Sequence, residues 1–132
     1  MSLPPTPVNP PSLVPPRGYS HGMKGSGELL FVAGQVGWDG EGRMVSADFV
    51  EQFAQALDNV LAVVAAAGGG PASLARLVLY VTDKREYRAR LRELGDAYRR
   101  RMGRHFPAMA LVEVRGLLED DARIEIEATA LL

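Results

Sequence analysis

The chain has 132 residues, 47% of them hydrophobic, with a formal net charge of −1 and no cysteine. That length bounds it to one domain, with apolar material for a core that buries roughly two-thirds of the unfolded surface. The balanced charge argues against a surface built to hold nucleic acid. The missing cysteine excludes disulfides, thiolate metal sites and a cysteine nucleophile, and no apolar run approaches the roughly 20 residues of a membrane helix.

Seven of the nine prolines fall in PPTPVNPPSLVPP, residues 4–16. No basic segment precedes an apolar helix-forming one, so this is not a signal peptide, and a cytoplasmic setting is expected. Proline fixes φ and removes a donor. Residues 1–17 are therefore expected to be extended and loosely held, and residues 18–132 to form the single domain. A short strand is expected over 18–24, and a stronger one over 28–37, ELLFVAGQVG, with DGEG supplying the turn. Ser46 can cap a helix running to about Ala67, in which Phe49, Phe53, Leu57, Val60, Leu61 and Val64 recur at helical spacing. GGGP, 68–71, ends it; no Gly-Lys-Ser/Thr follows, so it is not a phosphate loop.

ARLVLYVTD, 75–83, reads as a strand. Asp83 and Glu86 fit a cap for a second helix carrying Tyr87, Leu91, Leu94, Tyr98 and Met102 on one stripe. Arg99, Arg100, Arg101 and Arg104 gather at its C-terminal end, where cations suit the macrodipole. No aromatic stacking platform is interleaved with them. Strands over 108–117 and 122–131 close the chain. Two histidines far apart give no metal signature, and neither metal nor cofactor is expected. The order β-β-α-β-α-β-β lets two helices cover one face of a sheet. Strands 28–37 and 75–83 are apolar on both faces, so the second face also needs cover, which another copy of the chain supplies most simply.

GYSHG at 18–22, VAGQVG at 32–37, FPAMALVEV at 106–114 and RIEIEATA at 123–130 together resemble the Rid family, the YjgF-like reactive-intermediate deaminases, over residues 18 to 131. The resemblance implies a chorismate-mutase-like α+β fold, a mixed sheet with two helices on one face, and a homotrimer with small-molecule clefts between subunits. In members active on imines, the proline-led strand reads P-A-R-S/T-x-V-E-V. Its arginine holds the carboxylate of a 2-imino acid while a glutamate positions the attacking water. Position by position, the resemblance makes Glu125 the catalytic candidate and Tyr19 and Gly34 cleft residues. The arginine position is Met109, followed by Ala110 and Leu111; Ala33 stands where serine is usual, and Gly18 where proline is usual. The anion clamp is gone. Methionine offers dispersion and a polarisable sulfur instead.

Glu125 alternates with Ile124 and Ile126 and so faces away from the core; a solvated glutamate or an inter-subunit ion pair would show the same pattern. Glu113 and Glu127 read as structural. Arg17, Tyr19 and His21 share a face if their segment is extended, so Arg17 or His21 can replace the lost charge from another direction. His105 stands either at the cleft mouth or on an ordinary surface. Three functions stay open: an imine or enamine hydrolase acting poorly on simple 2-imino acids, a trimer that binds a metabolite without turnover, and an endoribonuclease, with no membrane and no nucleic-acid partner expected.

Overall fold

The computed structural model describes residues 3–132; the first two residues of the expected extended segment 1–17 lie outside the described residues. The elements are β1 (Thr6–Val8), β2 (Gly22–Lys24), β3 (Leu29–Gln35), α1 (Phe49–Ala66), β4 (Leu74–Val81), α2 (Lys84–Ala89), α3 (Leu91–Met102), β5 (Ala108–Glu113) and β6 (Ile124–Leu131).

β3, β6, β4 and β5 form one sheet in that order. β6 is antiparallel to both its neighbours, while β4 and β5 run parallel. The last strand in sequence is thus inserted between β3 and β4, and the sheet is mixed. The parallel pair needs a crossover, which α2 and α3 supply on the face where α1 also packs. Burial alternates strictly along β6, with Ile124, Ile126, Ala128 and Ala130 against the helices. Leu74, Leu77, Leu79 and Val81 do the same from β4, and Phe49, Phe53, Leu57, Val60 and Val64 answer from α1. The other face carries no layer. Phe31 and Leu29 on β3 are 73% and 61% exposed there, and Val112 on β5 is 42% exposed.

Four local expectations are corrected. The cap of α1 is Asp48, not Ser46: Glu51 N–H donates to Asp48 Oδ2 at 3.1 Å, while Ser46 Oγ accepts from Asp48 N–H at 2.9 Å and sets the turn before it. The expected second helix is two helices. Arg90 leaves the helical conformation (φ −116°, ψ 22°) and is held between Asp48, at 3.1 Å, and Glu93, at 2.7 Å. The strand expected over 18–24 starts only at Gly22, because Gly18 takes φ +76° and bends the chain. It joins β1 rather than the main sheet, which Ser20 touches through a single parallel bridge to Ala108.

The N-terminal segment, finally, is held. Pro7 lies within the three-pair β1–β2 ladder. Pro5 is buried, His21 N–H donates to Asn9 Oδ1 at 2.8 Å, and the His21 ring nitrogen Nε2 lies 2.7 Å from the Val14 carbonyl oxygen. A proline-rich strand can pair at an edge where its missing N–H faces away from the partner.

Candidate functional site

The main cavity, about 520 Å³, lies between the helix face of the sheet and the α2–α3 pair. Its floor comes from sequence alternation. Met109 pairs in register with Leu77, and Leu111 with Leu79, so both β5 side chains point toward the helices beside Ile126. The helical stripe closes the other side with Tyr87, Leu91, Leu94 and Tyr98. Arg17, Gly18 and Tyr19 line the remaining edge. Exposed Arg17, Leu91 and Arg99 mark the mouth, and buried Leu57, Leu77 and Ile126 mark the floor.

The wall is chemically quiet. Tyr98 O–H donates to the His105 carbonyl at 2.6 Å, and its ring stacks on Phe106 with centroids 5.5 Å apart. Burial holds the phenols of Tyr87 and Tyr98 above their ordinary pKa, so both stay neutral. Gly95 sits in the middle of α3 on this wall. Its glycine is a cost of about 1 kcal/mol to the helix relative to alanine, and a Cβ there would meet the Arg99 guanidinium 3.2 Å away.

The opposite face carries the second group of residues. A bulge between Val32 and Gln35 takes Ala33 and Gly34 out of one-to-one register with β6, a distortion common beside functional sites. Glu125 lies across this bulge. A Cβ on Gly34 would stand 2.5 Å from Glu125 Oε2, so glycine is what lets the carboxylate rest there. Among the described residues Glu125 makes no side-chain hydrogen bond or ion pair, whereas its neighbour Glu127 accepts from the Tyr80 hydroxyl. That bond, more than desolvation, raises the Tyr80 pKa.

The candidate residues therefore divide. Arg17, Tyr19, Met109 and Leu111 meet at the cavity. Gly34 and Glu125 meet on the open face. Ala110 is exposed and pairs with Val78 and, through it, Glu127, so it also faces the open side. His21 is not at the cavity; its ring packs edge-on against Tyr19 at 5.4 Å and stays with the N-terminal segment. His105 Nε2 lies 2.7 Å from the Leu74 carbonyl oxygen and does not reach the mouth. Glu113 accepts from Lys84 N–H at 2.9 Å at the start of α2. In the basic run, Arg99 pairs with Asp96 at 2.6 Å and Arg101 with Asp58 at 2.7 Å. Sequence reasoning missed Tyr87, Leu91, Gly95 and Tyr98 as cavity wall, because a helical apolar stripe reads as core; the mid-helix glycine was the available signal.

A mixed four-stranded sheet with helices on one face, an inserted last strand and a bulge facing a free glutamate defines a YjgF-like α+β domain. The sequence profile of the Endoribonuclease L-PSP family matches residues 11–132, and the chain belongs to that family, which includes the YjgF and Rid proteins. It is 34% identical over 113 residues to a RutC family protein of Pyrococcus horikoshii, covering 85% of each chain. It is 33% identical over 105 residues to the 2-iminobutanoate/2-iminopropanoate deaminase of Escherichia coli, covering 80% of each. The crystal structure of a Rid family protein from Yersinia pestis superposes with a TM-score of 0.88 at 33% identity, over 98% of this chain and 100% of that one. Among the described residues, no helix is long and apolar enough to cross a membrane, and no group of three or more His, Asp or Glu residues could hold a metal ion.

Proposed function

We propose that this chain is a cytoplasmic Rid-type hydrolase of imines or enamines. It works as a homotrimer whose clefts are completed by two copies, and it acts poorly on simple 2-imino acids. The observation that carries the reading is Met109, which lies on the apolar floor with Leu77, Leu111 and Ile126. A small carboxylate driven onto that floor would have no charged partner. The division of residues between two faces supports the cleft: Tyr19 and Met109 of one copy can act with Gly34 and Glu125 only if a second copy brings its open face to the cavity mouth. The uncovered Phe31 and Leu29 are apolar surface that such an assembly would bury.

The chemistry asked of Glu125 is modest. Its free carboxylate holds a water and takes one of its protons as the oxygen adds to the C=N carbon, then passes that proton to the nitrogen to give a carbinolamine. The carboxylate next takes the carbinolamine hydroxyl proton as the C=O bond forms and delivers it to the nitrogen as the C–N bond breaks, so that a carbonyl compound and ammonia leave. The floor itself contains no titratable group, and the tyrosines of the facing wall are neutral, which favours a second reading in which the trimer binds a ligand and does not turn it over. The ribonuclease reading is not adopted, since Arg99 and Arg101 are engaged by Asp96 and Asp58.

The test is keto-acid formation from 2-iminobutanoate or 2-iminopropanoate generated in situ. The wild-type protein should be slower than the E. coli deaminase by roughly 30- to 4,000-fold, which corresponds to about 2–5 kcal/mol for a desolvated charge partner. Met109→Arg should recover part of this, and Met109→Arg combined with Glu125→Ala should lose it again. Wild-type turnover equal to that of the deaminase would overturn the reading. So would a sedimentation mass of one chain at micromolar concentration.

A further inference from the structure

We propose that the cavity binds an amphiphilic monocarboxylate in inverted orientation, with its apolar body on the Met109 floor and its carboxylate at the mouth on Arg17. The inference rests on the reading above, in which this cavity is the ligand end of the site, and it names the ligand class. Three observations carry it. The cavity, about 520 Å³, lies within the roughly 300–1,000 Å³ typical of small-molecule sites, far more than a three- or four-carbon acid fills. Water standing on a floor of Leu77, Met109, Leu111 and Ile126 finds few polar partners, so an apolar chain displaces it favourably.

The second observation is charge. Two arginines reach the mouth, and Arg99 is already paired with Asp96. Arg17 is exposed and, among the described residues, has no hydrogen bond or ion pair from its side chain. One free guanidinium balances one negative charge and grips a carboxylate through two parallel N–H bonds. A dianion would need a second free cation.

The third is the wall near the mouth. Gly95 lines the cavity without a side chain, and Leu91, one turn earlier on α3, stands 54% exposed beside it. Neither presents a polar side chain to a ligand. The hydroxyls of Tyr19 and Tyr87, which donate to no other protein group among the described residues, are available as further donors in the cavity.

Calorimetry on the assembled full chain, with straight-chain carboxylates from butanoate to decanoate and the matching amides, tests the inference. Affinity should rise about fourfold per methylene until the chain fills the floor. Octanoate should bind at least tenfold tighter than octanamide. Arg17→Ala should remove that difference and leave octanamide binding unchanged, while Arg104→Ala, an exposed arginine outside the cavity, should change neither. Gly95→Leu, whose new side chain would meet the far end of the Arg99 side chain first, should weaken the long acids at least tenfold and raise the melting temperature.

Affinity independent of chain length, or octanamide binding as tightly as octanoate, would overturn the proposal. The two readings fail separately. Absence of imine turnover with the length series intact removes only the hydrolase, whereas partial recovery in Met109→Arg with a flat length series removes only the inverted ligand.

Discussion

The two faces of the central sheet are built from the same four strands and solve opposite problems. The helix face repeats Leu, Ile and Val from β4 and β6 and is closed by α1, α2 and α3; where the packing leaves a gap, an apolar cavity remains. The open face mixes Arg76, Tyr80, Glu125 and Glu127 with exposed Phe31 and Leu29. The first face carries the stability of the single chain. The second carries a free carboxylate and apolar area that contributes little until something covers it. The two faces therefore carry separate tasks, and Met109, on the helix face, makes part of the apolar cavity floor.

Ile124→Ala gives the largest expected contrast. Ile124 is fully buried on the helix face, and the truncation should cost about 3–4 kcal/mol. Thermal melting should fall by at least about 10 °C; a shift under a few degrees would mean that this face is not the one holding the fold. Gln52→Leu should cost about 2–3 kcal/mol. The buried Gln52 donates to the Ser46 and Asp121 carbonyls at 2.9 and 3.0 Å and accepts from Arg123 N–H at 2.8 Å. Leucine leaves these three backbone groups unpaired. Urea titration should show the loss, and a stability equal to wild type would show that water replaces the amide.

Acid sharpens the same contrast by a smaller amount. The backbone N–H of Glu51, and then Arg90, hold Asp48 below the usual aspartate pKa; the backbone N–H of Arg85 does the same for Asp83. Both cap helices on the closed face. Each binds a proton more readily unfolded than folded, so their contribution is complete above about pH 4 and is lost as pH falls through the lower folded values. Melting temperature should decline below pH 4, and a flat profile from pH 7 to pH 2.5 would remove the caps from the account. The smallest stability effect belongs to Phe31→Ser on the open face, within about 0.5 kcal/mol for the single chain. Circular dichroism should be unchanged while the sedimenting mass drops toward that of one chain. Lost secondary structure with the mass retained would reverse the assignment of the two faces.

Much of this was legible in the residues. The apolar runs over 28–37 and 75–83, the alternation of Glu125 with Ile124 and Ile126, and the helical spacing of Phe49, Phe53, Leu57, Val60 and Val64 depend on local geometry that any chain obeys. They yielded the order of strands and helices. The motif order from GYSHG to RIEIEATA pointed to the family and, through it, to the α+β fold. Periodicity did not reveal the break at Arg90, because the apolar stripe runs through it and one of the two carboxylates that hold the arginine, Asp48, lies 42 residues away. It did not reveal the β1–β2 ladder, since proline content speaks of donors lost and says nothing of which edge they face.

Above all, alternation separated Met109 from Ala110 but could not say which sheet face held the cavity. That depended on where α2 and α3 landed. The sequence by itself determined which residues share a face, because side-chain alternation is a property of one strand. Only the tertiary structure decided that Arg17, Met109 and Tyr98 border one space while Glu125 and Gly34 share another. Those placements depend on contacts between segments far apart in the chain, which no local period encodes.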